Sequence, residues 1–204
     1  MNRKTHMTII VSIMAIFFAI GFVVKNTVGG ILFDISVLEY LHRDVNTSIL
    51  KLTKFVSLIG SGKFLLPVIG IIVFFLLLKK KYYVSKLLLA STVGSYAINF
   101  ILKMIFQRTR PLEFFRVNQK GFSFPSGHSM VTMSLYLMIA YILTRNERNM
   151  RKKRIIYGMS IIFVLLMGFS RIYLGVHWPT DVVGGYLVGY VVYYASTKII
   201  EEND

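Results

Sequence analysis

Six long apolar blocks decide what this chain can fold into: residues 7–24, 64–78, 83–106, 130–143, 155–169 and 182–200. A bilayer-crossing helix needs about 17–25 mostly apolar residues, and the shorter blocks reach that length through uncharged neighbours. The second extends to 55–78 if Lys63 carries its ammonium to the membrane surface. The apolar positions run in blocks and not at amphipathic spacing, so these segments have no water-facing side. Composition agrees, with 55% hydrophobic and only 16% charged residues among 204, against about 25% charged in soluble domains. The sequence therefore predicts an all-α membrane protein with six transmembrane helices, residues 1–204 forming one integral-membrane domain. The block at 7–24 follows Arg3 and Lys4 as a secretory leader would. Lys25-Asn26-Thr27 follows it where a leader has a small-residue cleavage site, so it is read as a retained first span.

Residues 34–54, between the first two blocks, differ in character. Ile35, Leu38, Leu41 and Val45, then Ile49, Leu52 and Val56, recur every three or four positions. Asp34, Glu39, Arg43 and Asp44 fall between them. The spacing predicts an amphipathic helix lying on the external membrane surface; a linker helix facing water has the same pattern.

The formal charge of +15 is spread in short loop clusters rather than along an arm or stripe, which excludes a nucleic-acid partner. Lys79, Lys80 and Lys81 separate the second and third blocks. Arg145, Arg148, Arg151, Lys152, Lys153 and Arg154 separate the fourth and fifth. Cationic loops stay in the cytoplasm, so both termini are expected inside and the remaining loops outside. The absence of cysteine removes thiolate chemistry and Cys-based metal sites.

Three segments on the external side carry the chemistry. In Lys103-Met-Ile-Phe-Gln-Arg-Thr-Arg110-Pro111, seven residues are close to two helical turns, so a continued helix would put Lys103 and Arg110 on one face, ended by Pro111. Two such cations make an anion site, although helix-end anchoring accounts for them equally. In Phe124-Pro125-Ser126-Gly127-His128-Ser129, a Ser-Gly helix start offers free amides and a hydroxyl to a phosphate. Gly127 admits a close backbone approach, and His128 stands beside the anion as a proton donor. The alternative is an ordinary helix cap. In the segment from Ser170-Arg171 to His177-Trp-Pro-Thr-Asp181, Pro179 suits a first helical turn. Asp181 can then fix the His177 tautomer and leave the other ring nitrogen to attack. Dipole compensation by Asp181 and an interfacial His177 are the plain alternatives. Phe122, Tyr173 and Trp178 either line lipid access or anchor the interface.

Together these segments resemble the type-2 phosphatidic acid phosphatase family, the membrane branch of the superfamily that includes vanadium-dependent haloperoxidases. The family signature is Lys, six residues, Arg-Pro; Pro-Ser-Gly-His; and Ser-Arg, five residues, His, three residues, Asp. It is present without departure over residues 103–181. The resemblance implies His177 as nucleophile, Asp181 as its orienting acid and His128 as general acid and base. It implies Lys103, Arg110, Ser126, Gly127 and Arg171 as phosphate ligands. The activity implied is hydrolysis of a phosphorylated membrane lipid, with no metal and no cofactor, through a phosphohistidine. A lipid-to-lipid phosphotransferase would use the same intermediate and the same residues.

Overall fold

The computed structural model describes residues 3–25, 27 and 29–201. The side chains of Arg3, Lys4 and Glu201, and Asn26 altogether, lie outside the described residues. The described chain is helical: α1 (Arg3–Lys25), α2 (Leu32–His42), α3 (Thr47–Ile59), α4 (Gly62–Leu78), α5 (Tyr82–Leu89), a π turn (Ala90–Gly94), α6 (Ser95–Phe106), α7 (Gly127–Thr144), α8 (Met150–Tyr173) and α9 (Pro179–Glu201). A short 3-10 turn, Leu112–Phe114, lies in the loop between α6 and α7.

Four stretches are long and apolar enough to cross a membrane unaided: Thr5–Lys25, Tyr82–Phe106, Gly127–Thr144 and Met150–Tyr173. The pair α3 and α4, bent by 43° at Gly60-Ser61, makes a fifth if taken as one span. Helix α9 has 23 residues but less apolarity, because glycines and tyrosines interrupt its valines. The packing suits a bilayer. Ser91, Thr92, Ser95, Asn99, Ser129, Thr132 and Ser134 are buried, while Val11, Phe22, Ile71, Phe75, Phe100 and Leu165 are exposed. In lipid, polar side chains gather inside and apolar ones face out.

The predicted amphipathic helix at 34–54 is two helices. Asn46 ends the run by capping α3, its Oδ1 accepting from the amides of Ser48 and Ile49. Leu38 of α2 is buried while Glu39, Arg43 and Asp44 are exposed, as the stripe predicts, but other positions depart from it. Leu52, Phe55 and Leu58 are exposed, whereas Thr53 is buried and Asp34 of α2 is wholly buried.

Packing places the catalytic-signature segments at one end of the bundle. Gly185 and Gly189 let α9 lie directly on α7: a Cβ at Gly185 would stand 2.6 Å from the Ser126 carbonyl, and one at Gly189 2.5 Å from that of Met130. Phe17, Phe106 and Phe124 pack ring on ring, with centroids 5.0–5.6 Å apart, and so tie α1 and α6 to the chain just before α7. A second cluster of Leu65, Ile69, Val73, Leu88, Val131 and Leu135 joins α4, α5 and α7.

Candidate active site

Helix α6 stops at Phe106, earlier than the two-turn reading of Lys103 and Arg110 required. Gln107 caps it in the left-handed region at φ 49°, and the chain then runs extended into Pro111, as a residue preceding proline favours. Alternate side chains in this stretch point the same way: Arg108 and Arg110 are buried, Gln107 and Thr109 exposed. Lys103 and Arg110 meet all the same, by a different route. Lys103 Nζ donates to the carbonyls of Phe122 (2.6 Å) and Ser123 (3.0 Å), and Arg110 Nη2 donates to that of Phe122 (3.0 Å).

Arg110 is further held by Nε donating to the Gly121 carbonyl (2.8 Å) and Nη1 to that of Val176 (2.6 Å). Burial lowers its pKa to about 10, which still leaves it charged at neutral pH. The same Nη1 lies 3.2 Å from His177 Nε2.

His177 follows the turn that ends α8. Gly175 makes this turn at φ +67°, where a Cβ would collide with the Phe114 carbonyl 1.8 Å away, so the position requires glycine. The Nδ1 of His177 lies 3.2 Å from Asp181 Oδ2, which also accepts from the Trp178 amide at 2.9 Å. The carboxylate thereby fixes the proton on Nδ1 and leaves the Nε2 lone pair facing Arg110. Burial, followed by the charges of Arg110, Lys103, Arg171 and His128, holds the His177 pKa well below its ordinary value. Both effects favour the neutral imidazole.

Ser126 caps α7, where its Oγ accepts from the Ser129 hydroxyl (3.0 Å) and amide (3.4 Å). Its own proton is thus free for an incoming oxygen. The Gly127 and His128 amides open the helix and have no intrahelical acceptor. Gly127 is tight on its other side as well: a Cβ there would lie 2.9 Å from Asn99 Oδ1, and Asn99 Nδ2 donates to the Pro125 carbonyl (3.1 Å). The His128 ring bonds the Ser57 backbone, and its buried Nε2 has no partner. Arg171, buried near the end of α8, donates to the Ser57 hydroxyl and to Gln119 Oε1 (3.3 Å). Two nucleophile-capable imidazoles, three cations and a helix start therefore converge at one end of the bundle. An oxyanion brought there meets positive charge already in place, which is the arrangement that stabilises phosphoryl transfer.

Residues 85–204 match the PAP2 superfamily. The chain is 36% identical over 137 residues to phosphatidylglycerophosphatase B of Bacillus subtilis, an alignment covering 67% of this chain and 68% of that protein. The chain belongs to the PAP2 superfamily. It is 27% identical over 118 residues to an undecaprenyl-diphosphatase of Sulfolobus acidocaldarius, covering 55% of this chain and about half (53%) of that relative. The crystal structure of a transmembrane PAP2 type phosphatidylglycerolphosphate phosphatase from Bacillus subtilis superposes with a TM-score of 0.85 at 28% identity, over 96% of this chain and 97% of that one. The chain is thus a PAP2-type membrane lipid phosphatase.

Within the PAP2 site, all eight residues expected from sequence lie at the same end of the bundle. Two residues that sequence reasoning passed over lie directly behind them. Arg108 reaches Asp181 from within the first signature segment, and Asp34 reaches Arg108 from α2. Arg108 was legible only if 107–111 is read as extended, where it shares a side with Arg110. Asp34 carried no signal, since it sits among apolar residues as a surface carboxylate would. Ser57 and Gln119, which hold Arg171, also come from segments without a motif. Tyr173 and Trp178 are both buried. The Tyr173 hydroxyl pairs with the Asn46 backbone (3.0 Å), and Trp178 Nε1 donates to the Thr109 carbonyl (2.9 Å).

Proposed function

We propose that this chain hydrolyses the phosphomonoester or diphosphate end of a membrane lipid through a phosphohistidine on His177. Phosphatidate, phosphatidylglycerophosphate and undecaprenyl diphosphate are the substrate types considered. The observation that carries the reading is the His177 ring itself, with Nδ1 on Asp181 and Nε2 turned to Arg110. In the first step Nε2 bonds phosphorus as the lipid oxygen leaves, and His128 gives that oxygen its proton. In the second, a water oxygen bonds phosphorus, the N–P bond breaks, and His128 takes the water proton. Lys103, Arg110, Arg171, the Ser126 hydroxyl and the amides of Gly127 and His128 hold the phosphoryl oxygens throughout. Asp181 balances the positive charge that His177 acquires.

The proposal includes six spans, α9 being the sixth and α3–α4 the second, with both termini in the cytoplasm and the site at the external surface. The loops rich in lysine and arginine, after α4 and after α7, fall at the bundle end opposite the site, which supports that orientation. The test is phosphate release from the three lipids in detergent by the parent and by His177→Ala. The parent releases phosphate from at least one, and the variant loses activity by about 10⁴-fold. Release that is unchanged in the variant contradicts the proposal. Labelled phosphate arriving on a second lipid instead of in solution identifies a phosphotransferase.

A further inference from the structure

The geometry points to Asp34 and Arg108 as positioning residues that keep Asp181 anionic toward His177, a reading that rests on His177 being the nucleophile. Arg108 and Asp34 are almost completely buried, at 3% and 0% exposure. Arg108 Nη2 donates to Asp34 Oδ2 at 2.6 Å, and Nη1 donates to Asp181 Oδ1 at 2.8 Å. The fork therefore bridges two carboxylates, one with each nitrogen, an arrangement a lysine point charge does not reproduce. Thr180 closes the ring. Its amide donates to Asp34 Oδ1 (2.9 Å), its hydroxyl to Asp34 Oδ2 (2.8 Å), and that hydroxyl oxygen also accepts from Arg108 Nη1 (2.7 Å). The Arg108 guanidinium stands 5.2 Å from the centre of the Trp178 ring. Asp34 lies outside the matched residues 85–204, and Arg108 is no member of the three-part signature.

Charge explains why both are needed. Arg108 occupies Asp181 Oδ1, so Oδ2 is the oxygen left for His177 Nδ1. A lone arginine bonded to Asp181 would neutralise it, just where a negative charge must balance the imidazolium formed by phosphorylation. Asp34 cancels that arginine. The set Asp34, Arg108 and Asp181 then keeps one net negative charge, and it is directed at His177. Removing only Asp34 leaves Asp181 neutralised. Removing only Arg108 leaves two buried carboxylates close together, a pair that cannot both stay ionised. Removing both restores a single negative charge.

The experiment compares Asp34→Asn, Arg108→Gln and the double variant, each monodisperse in detergent, on the lipid the parent hydrolyses fastest. Asp34→Asn is expected to lower kcat by about tenfold or more, with KM within about twofold of the parent, because the charge acts only as His177 becomes cationic. The double variant is expected to turn over faster than Arg108→Gln alone. Contacting residues couple in stability as well, so a purely structural contact would lower the melting temperature of the variants without the selective fall in kcat. Parental kcat in Asp34→Asn, or additive losses in the double variant, overturns the inference. If Asp34→Asn is not recovered as a monodisperse protein, Arg108→Lys carries the test. It keeps the charge but loses the bridge, and the same selective fall in kcat is expected; parental kcat overturns the inference. Parent enzyme quenched in alkaline detergent is run alongside. Failure to find phosphate on its His177 counts against the nucleophile assignment itself, whereas a labelled parent with an unimpaired Asp34→Asn counts against the positioning residues alone.

Discussion

At the residue scale, each chemistry-bearing side chain is set by a local rule, and the rules differ in how plainly they show in sequence. Asp181 in the first turn after Pro179, four residues beyond His177, needs only helix-start geometry to reach that ring, and the spacing alone gave the pairing. Arg108 needs the backbone to leave the helix at Gln107, which an apolar run ending in Arg-Thr-Arg-Pro does not announce beforehand. The His177 assignment carries a pH consequence. Under the proposed mechanism only neutral His177 can attack phosphorus. Its pKa is held below 6.5 by burial first, then by Arg110, Lys103, Arg171 and His128, against the opposing charge of Asp181. Activity of the free enzyme should therefore persist as pH falls through 6.5. In kcat/KM profiles corrected for ionisation of the lipid phosphate, the acid limb is expected below pH 6.5. An acid limb above that value would show a histidine in an ordinary or anionic setting.

Among the elements, four of the six apolar blocks were legible as spans by length and hydropathy, and the second enters as the bent α3–α4 pair. The arrangement of 34–59 was not legible, because the period of a stripe tells how residues share a side but not which side faces lipid. Asn46 carried the available signal for a break, an N-cap residue before Thr-Ser, and it went unread beneath the apolar periodicity. The α7–α9 contact rests on glycine, and its consequence reaches the site because Ser126, whose carbonyl meets Gly185, also caps α7 and receives its amide bond from the neighbouring helix: Ser126 N donates to the Asp181 carbonyl at 2.9 Å. Gly185→Leu should force the two helices apart at a cost of about 1–3 kcal/mol. A lower melting temperature in detergent is expected together with loss of phosphate release. A variant with parental stability and activity would mean that α7 and α9 do not pack through Gly185.

For the whole molecule, the alternation of helices carries every signature segment to one end of the bundle and the main cationic loops to the other. No motif states this; it follows from the alternation of helices, whereas the burial of Asp34 does not. The absence of cysteine makes the orientation easy to test with single cysteines at exposed loop positions. A membrane-impermeant maleimide should label Lys120→Cys in intact cells, and should label Lys80→Cys and Asn146→Cys only after permeabilisation. The reverse pattern would place the site in the cytoplasm. Orientation aside, the account stands or falls on where phosphorus goes. The direct measurement is rapid alkaline-detergent quench of the parent enzyme turning over phosphate-labelled lipid, followed by peptide mapping at high pH. The account predicts acid-labile, base-stable phosphate on His177, absent when His177 is replaced. Phosphate on another residue, or turnover with no covalent intermediate, would contradict it.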